Sequence, residues 1–87
     1  MWYTYLLSNK QNGYWYTGVT NDLRKRFKQH NDKLRKGWAA KRDPYTLMYY
    51  EACHDEDDAR AREKYLKSGM GKKYIKNRLK RFLSLTG

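Results

Sequence analysis

Residues 3–19 read YTYLLSNKQNGYWYTGV. Residues 3–8 are aromatic, β-branched and apolar, the composition of a strand. Residues 9–13 (NKQNG) are a turn, and Asn12-Gly13 is a strong hairpin dipeptide. Residues 14–19 read as the returning strand, with Gly18 near its end, where a glycine marks close approach of another group. This hairpin places Tyr5 and Tyr16 on adjacent strands, and it commits the domain to a sheet.

Outward from the hairpin the pattern changes to helix. Thr20-Asn21-Asp22 supplies capping side chains, and a helix is predicted over residues 22–36. Its stripe is Leu23, Phe27 and Leu34, with His30 filling the gap and Gly37 ending it. A basic connection over residues 38–44 ends at Pro44, which forbids helix. Residues 45–53 (YTLMYYEAC) form a third strand. The acids at 55–58 favour the start of a second helix through the helix dipole, and it runs to Ser68. Gly69 and Gly71 break it. A third helix follows over residues 72–85, with Ile75, Leu79, Phe82 and Leu83 as its buried stripe. The fold class is α+β in the order β-β-α-β-α-α: a three-stranded, mostly antiparallel sheet flanked by three helices.

The 87 residues make one domain. A chain of this size buries only roughly 60% of its unfolded surface; its 14 aromatic residues are what make a compact core feasible. No apolar run approaches the ~20 residues of a membrane span, and the N-terminus lacks the features of a secretory signal. The lone Cys53 excludes an internal disulfide and any Cys/His zinc spacing, so it reads as an inert core residue and cytoplasmic residence is expected.

Charge is the first functional signal. The formal net charge is +11, and it is clustered. Residues 24–43 hold nine basic and two acidic side chains, and residues 60–81 hold ten basic side chains and one acid, Glu63. Two such blocks point to a polyanion, above all nucleic acid. Glu63 falls on or beside the inward face of the second helix, where a carboxylate needs a partner. That partner is either an arginine or lysine, or a hard divalent cation such as Mg²⁺. Arg26 and His30 are four apart and share one side of the first helix; a guanidinium there matches a phosphate with two parallel bonds. A phenol is a poor base at its ordinary pKa of about 10, but neighbouring cations stabilise its anion.

Together these residues resemble the GIY-YIG nucleases. Tyr3-Thr4-Tyr5 and Tyr16-Thr17-Gly18 are similar to that family's paired "GIY" and "YIG" elements, with Tyr3 in place of glycine and Thr4 and Thr17 in place of isoleucine. In VTNDLRKRFKQHN, Arg26 and His30 stand where the family has its arginine and a histidine or tyrosine. REKYLK (residues 62–67) resembles the helix with the metal-binding glutamate, at Glu63, and Asn77 in YIKNR matches a downstream asparagine. The resemblance covers essentially the whole chain and is nearest to small single-domain bacterial members; relatives act in DNA repair or recombination.

The resemblance implies hydrolysis of phosphodiester bonds in DNA, ahead of RNA, with one Mg²⁺ or Mn²⁺ on Glu63. It implies Tyr16 as general base, Arg26 on the phosphate, Tyr5 and His30 orienting water or phosphate, and Gly18 and Asn77 in support. Backbone contacts are expected from Lys33, Arg35, Lys36, Lys41 and Arg42 and from Lys72, Lys73 and Lys76, with Trp38 stacking on a base. Specificity would be low or supplied by a protein partner. The alternative is a module of the same fold that holds DNA or RNA without cutting it.

Overall fold

The computed structural model describes residues 1–34 and 44–85. Strand β1 (Trp2–Asn9) is the centre of a three-stranded sheet in the order β2-β1-β3, between β2 (Trp15–Thr20) and β3 (Tyr45–Cys53), and both pairings are antiparallel. Helix α1 (Leu23–Leu34) follows β2, and α2 (Glu56–Lys67), α3 (Gly69–Arg78) and α4 (Lys80–Leu85) follow β3. The expected α+β class and element order stand, with the last expected helix divided in two.

The hairpin turn differs from a two-residue Asn-Gly turn. The Asn9 N–H donates to the Tyr14 carbonyl at 2.8 Å, and the Gly13 N–H donates to the Asn9 carbonyl at 2.8 Å, enclosing residues 10–13. Only Gly13 has positive φ, at 74°, whereas a type I′ turn needs it at both central residues. The Asn9 and Asn12 side chains hold the loop instead, accepting from the N–H groups of Gln11, Asn12 and Tyr14.

Strand alternation divides the side chains between two faces. On one, Leu6 meets Leu66 of α2 and Ile75 of α3 in a buried cluster, closed by Trp15, Met48, Tyr49, Tyr65, Tyr74 and Leu79. Burying each such aliphatic side chain stabilises the fold by roughly 1.5–3 kcal/mol. On the other face Tyr5 and Leu7 are buried and α1 lies across them. Asp22 caps α1, its carboxylate accepting from the Lys25 N–H at 3.1 Å. The buried Asn31 ties its far end to the sheet by accepting from the Tyr45 N–H at 2.8 Å.

The expected break at Gly69 and Gly71 falls instead at Ser68, and both glycines lie in the first turn of α3. The Ser68 N–H donates to the Tyr65 carbonyl at 3.0 Å, and its hydroxyl accepts from the Gly71 N–H at 3.2 Å, so one residue ends α2 and caps α3. A Cβ on Gly71 would stand 2.7 Å from the Tyr65 carbonyl carbon; glycine is there because the two helices meet backbone to backbone. Leu79 then interrupts the helix, so the stripe does not continue: Ile75 is buried, Leu79 and Leu83 are half-buried, and Phe82 is exposed. Cys53 also departs from the expected core position. It is half-buried at the end of β3, with Sγ 3.4 Å from the Asp55 carbonyl.

Candidate active site

The register fixes the phenols. Tyr5 pairs with Gly18 and Leu7 pairs with Tyr16, so Tyr5, Tyr16 and Gly18 share the α1 face. A Cβ on residue 18 would lie 2.6 Å from Tyr5 Cζ; glycine lets the Tyr5 ring lie against the β2 backbone. Tyr5 is only 1% exposed, and its Oη lies 3.0 Å from His30 Nε2. Tyr16 is 43% exposed. Its ring centroid is 4.6 Å from that of His30 and 6.3 Å from that of Tyr5. The His30 ring also meets Tyr45 edge-on at 5.8 Å, a neighbour the sequence did not single out.

The Tyr5 phenol is pushed up to about 12. Burial is the main cause, helped by Tyr16 and, more weakly, Glu63; the Arg26 guanidinium pulls the other way. Tyr5 therefore keeps its proton at neutral pH. The same balance puts Arg26, an exposed residue on the His30 side of α1, and Glu63, on α2, within electrostatic reach of one phenol.

Glu63 approaches from the opposite layer. Helix α2 packs below the sheet, and Glu63 extends to the edge strand β2, where a cleft of about 340 Å³ is walled by Trp15, Tyr16, Thr17, Glu63, Lys67 and Lys72, among others. Its side chain is 22% exposed, and its carboxylate lies 3.2 Å from Lys67 Nζ. This is the cation partner that a Glu–Lys spacing of four allows. Among the described residues no three His, Cys, Asp or Glu side chains converge as a metal cage. A single carboxylate on an open cleft suits a hard divalent cation that keeps most of its waters, so the donor set fits Mg²⁺ or Mn²⁺, and Glu63 is the residue that could hold it.

Two contacts set α2 at this edge. The buried Thr4 hydroxyl, where the family motif has isoleucine, donates to the Ala59 carbonyl at 2.8 Å, one turn before Glu63. Arg62 Nε donates to both Glu51 oxygens at 2.9 Å, while its guanidinium lies 4.9 Å from the ring centroids of Tyr65 and Tyr74. Tyr49 donates to Glu51 at 3.0 Å, and its phenol is pushed up chiefly by burial.

The other expected residues are dispersed. Asn77 is exposed on α3, away from the cleft wall. Lys72 is in the wall, Lys76 stands one turn further along α3, and Lys73 is exposed beside them. Lys33 is in the last turn of α1. Arg35, Lys36, Trp38, Lys41 and Arg42 lie outside the described residues. Trp15 and Lys67 were not singled out, and Thr17 was noted only as a departure from the motif, although the Glu63–Lys67 spacing was a visible signal.

A small α+β domain with two phenols, an imidazole, a guanidinium and a carboxylate gathered about the edge of its sheet has a nuclease-like fold. Residues 1–75 match the family model described as the GIY-YIG catalytic domain, and the chain belongs to that family. It is 39% identical over 65 residues to a UPF0213 protein of Clostridium perfringens, covering 75% of this chain and 69% of that one. It is 38% identical over 69 residues to the UPF0213 protein YazA of Bacillus subtilis (79% and 69%). It is 33% identical over 79 residues to a UPF0213 protein of Autographa californica nuclear polyhedrosis virus (91% and 75%). No solved structure matches the chain. No helix among the described residues is long and apolar enough to cross a membrane.

Proposed function

We propose that this protein is a divalent-metal-dependent phosphodiesterase that cuts nucleic acid, with DNA ahead of RNA, at the β2-edge cleft. The observation that carries the reading is the position of Tyr16. It touches His30 on the α1 side and shares the cleft with Glu63 on the α2 side, so groups from both layers reach one reacting centre.

Of the two phenols, Tyr16 is the general base. Tyr5 is buried and holds its proton to about pH 12, so it serves only as a hydrogen-bonding group. Tyr16 is open to the cleft and can take a proton from a water molecule placed between it and the phosphate. His30 fixes both rings, one by a hydrogen bond and one by ring contact. Arg26, on the His30 side of α1, supplies positive charge to the phosphate as its charge grows. A divalent cation on Glu63, when bound, supplies Lewis-acid stabilisation of the phosphate and the departing oxygen. Lys67 holds the Glu63 carboxylate otherwise, and that ion pair is the observation favouring the second reading, a module that binds nucleic acid without cutting it.

The test is cleavage of a panel of single-stranded, duplex and branched DNA and RNA with Mg²⁺ or Mn²⁺. Glu63→Ala, Arg26→Ala and Tyr16→Phe are each expected to lose ~100- to 1000-fold in rate, with Tyr16→Phe keeping its ring and its melting temperature. Full cleavage by Glu63→Ala would overturn the metal assignment. Binding without cleavage by the wild type would establish the second reading.

A further inference from the structure

The cleft does not end at Lys72. It continues into a hollow of about 400 Å³ walled by Gly13, Tyr14, Trp15, Lys72 and Lys76, sharing Trp15 and Lys72 with the cleft. A third hollow shares Gly13, Trp15 and Lys76 with the second and reaches Lys10 and Lys80. Adjoining through these shared walls, the three hollows line up as a trough from Glu63 past α3 toward the outer end of the hairpin. Lys72 and Lys76 are one helical turn apart, ~6 Å along α3. Among the described residues no ion pair engages the ammonium groups of Lys10, Lys72, Lys76 or Lys80.

At the middle of this trough stands Tyr14, 76% exposed. A single exposed tyrosine is ordinary surface. This one is held from behind: its N–H donates to Asn12 Oδ1 at 2.9 Å, and its carbonyl accepts from the Asn9 N–H at 2.8 Å. The backbone is fixed while the ring is offered to solvent between lysines.

We propose that the trough is a track for an unpaired nucleic-acid strand, with Tyr14 as a stacking platform for a base and Lys72 and Lys76 as phosphate contacts. The direction of the track rests on the reading of the adjoining cleft as a phosphodiester site. Free ammonium groups are complementary to phosphates, and an exposed ring face takes a base only when that base is not already stacked in a duplex. The substrate class that follows is nucleic acid with a single-stranded segment beside the cleaved bond.

The experiment is fluorescence anisotropy in EDTA, so that binding is read without cleavage, using labelled oligo(dT), oligo(rU) and a DNA duplex of the same length. Tyr14→Ala is expected to weaken oligo(dT) binding about tenfold, the worth of one stacked base, and to leave duplex affinity unchanged; Tyr14→Phe restores the wild-type value. Either result with oligo(rU) upholds the track, equal affinity extending it to RNA. The proposal is overturned if the wild type does not bind oligo(dT), if Tyr14→Ala binds it as tightly as wild type, or if Tyr14→Ala loses single-strand and duplex binding equally. Tyr14-dependent binding by a protein that cuts nothing with Mg²⁺ or Mn²⁺ would sink the cleft reading and leave the track standing.

Discussion

Tyr5 and Tyr16 carry the same functional group in different surroundings because of what stands across the strand from each. Gly18 opposite Tyr5 lets its ring sink against β2, while Tyr16 lies opposite Leu7 and stays 43% exposed. Burial is therefore the main reason the Tyr5 phenol rises to about 12, against about 10 in an unfolded chain. The neutral phenol is the form the fold prefers. Its contribution is present in full below about pH 10 and is lost as pH rises through about 12, an effect of at most roughly 3 kcal/mol. Urea melts at pH values from neutrality to about 12 measure it: wild type should lose stability more steeply than Tyr5→Phe, which has nothing to titrate at this position. Parallel curves would mean that the ring is not desolvated. That Tyr5 and Tyr16 stand on adjacent strands and that Arg26 and His30 share one side of a helix was legible from spacing, since strand alternation and the four-residue helical interval are local rules; that the two pairs belong together was implied by the family resemblance. The family resemblance implied different roles for the two phenols; their difference in burial was not legible, because it depends on a cross-strand partner that only the register reveals.

The position of Glu63 belongs to α2 as a whole. Thr4 holds the helix one turn before it, the Glu51–Arg62 pair holds it at the preceding residue, and the Ser68 corner fixes its end. Gly71→Ala would drive a Cβ into the Tyr65 carbonyl and the Leu66 backbone, neither of which can swing aside like a side chain. The expected cost is about 3 kcal/mol or more, at the upper end of overpacking effects. Thermal melts would show it as a large fall in midpoint, whereas Gly69→Ala, with open space at its Cβ, should leave the midpoint almost unchanged. Equal effects would show that the two helices do not meet at Gly71. The sequence marked this corner as a break, and both glycines do stand beside one; it could not say that Ser68 makes the break, because a capping serine followed by glycine reads like a helix stop. The third strand, residues 45–53, was legible to the residue, bounded as it is by Pro44 before and a run of acids after. The side of the sheet taken by α2 was not, since it follows from packing between Leu6, Leu66 and Ile75, which are far apart in the chain.

Over the whole molecule, a formal charge of +11 makes attraction to nucleic acid certain to depend on salt. The composition points that far; which lysines could meet phosphates is a matter of where α3 places them. For a single strand, the slope of log K against log salt is about −0.7 for each phosphate neutralised. Diffuse attraction to a basic surface and a defined track therefore separate on one plot. If Lys72 and Lys76 each meet a phosphate of oligo(dT), replacing both with glutamine should make the slope shallower by about 1.4. Replacing Lys28 and Lys64, exposed cations outside the cleft and trough, should leave it where it was. Anisotropy titrations across a salt series in EDTA supply the slopes. Equal changes for the two pairs would mean that the strand is held by net charge alone, and α3 would then be only one part of a uniformly basic surface.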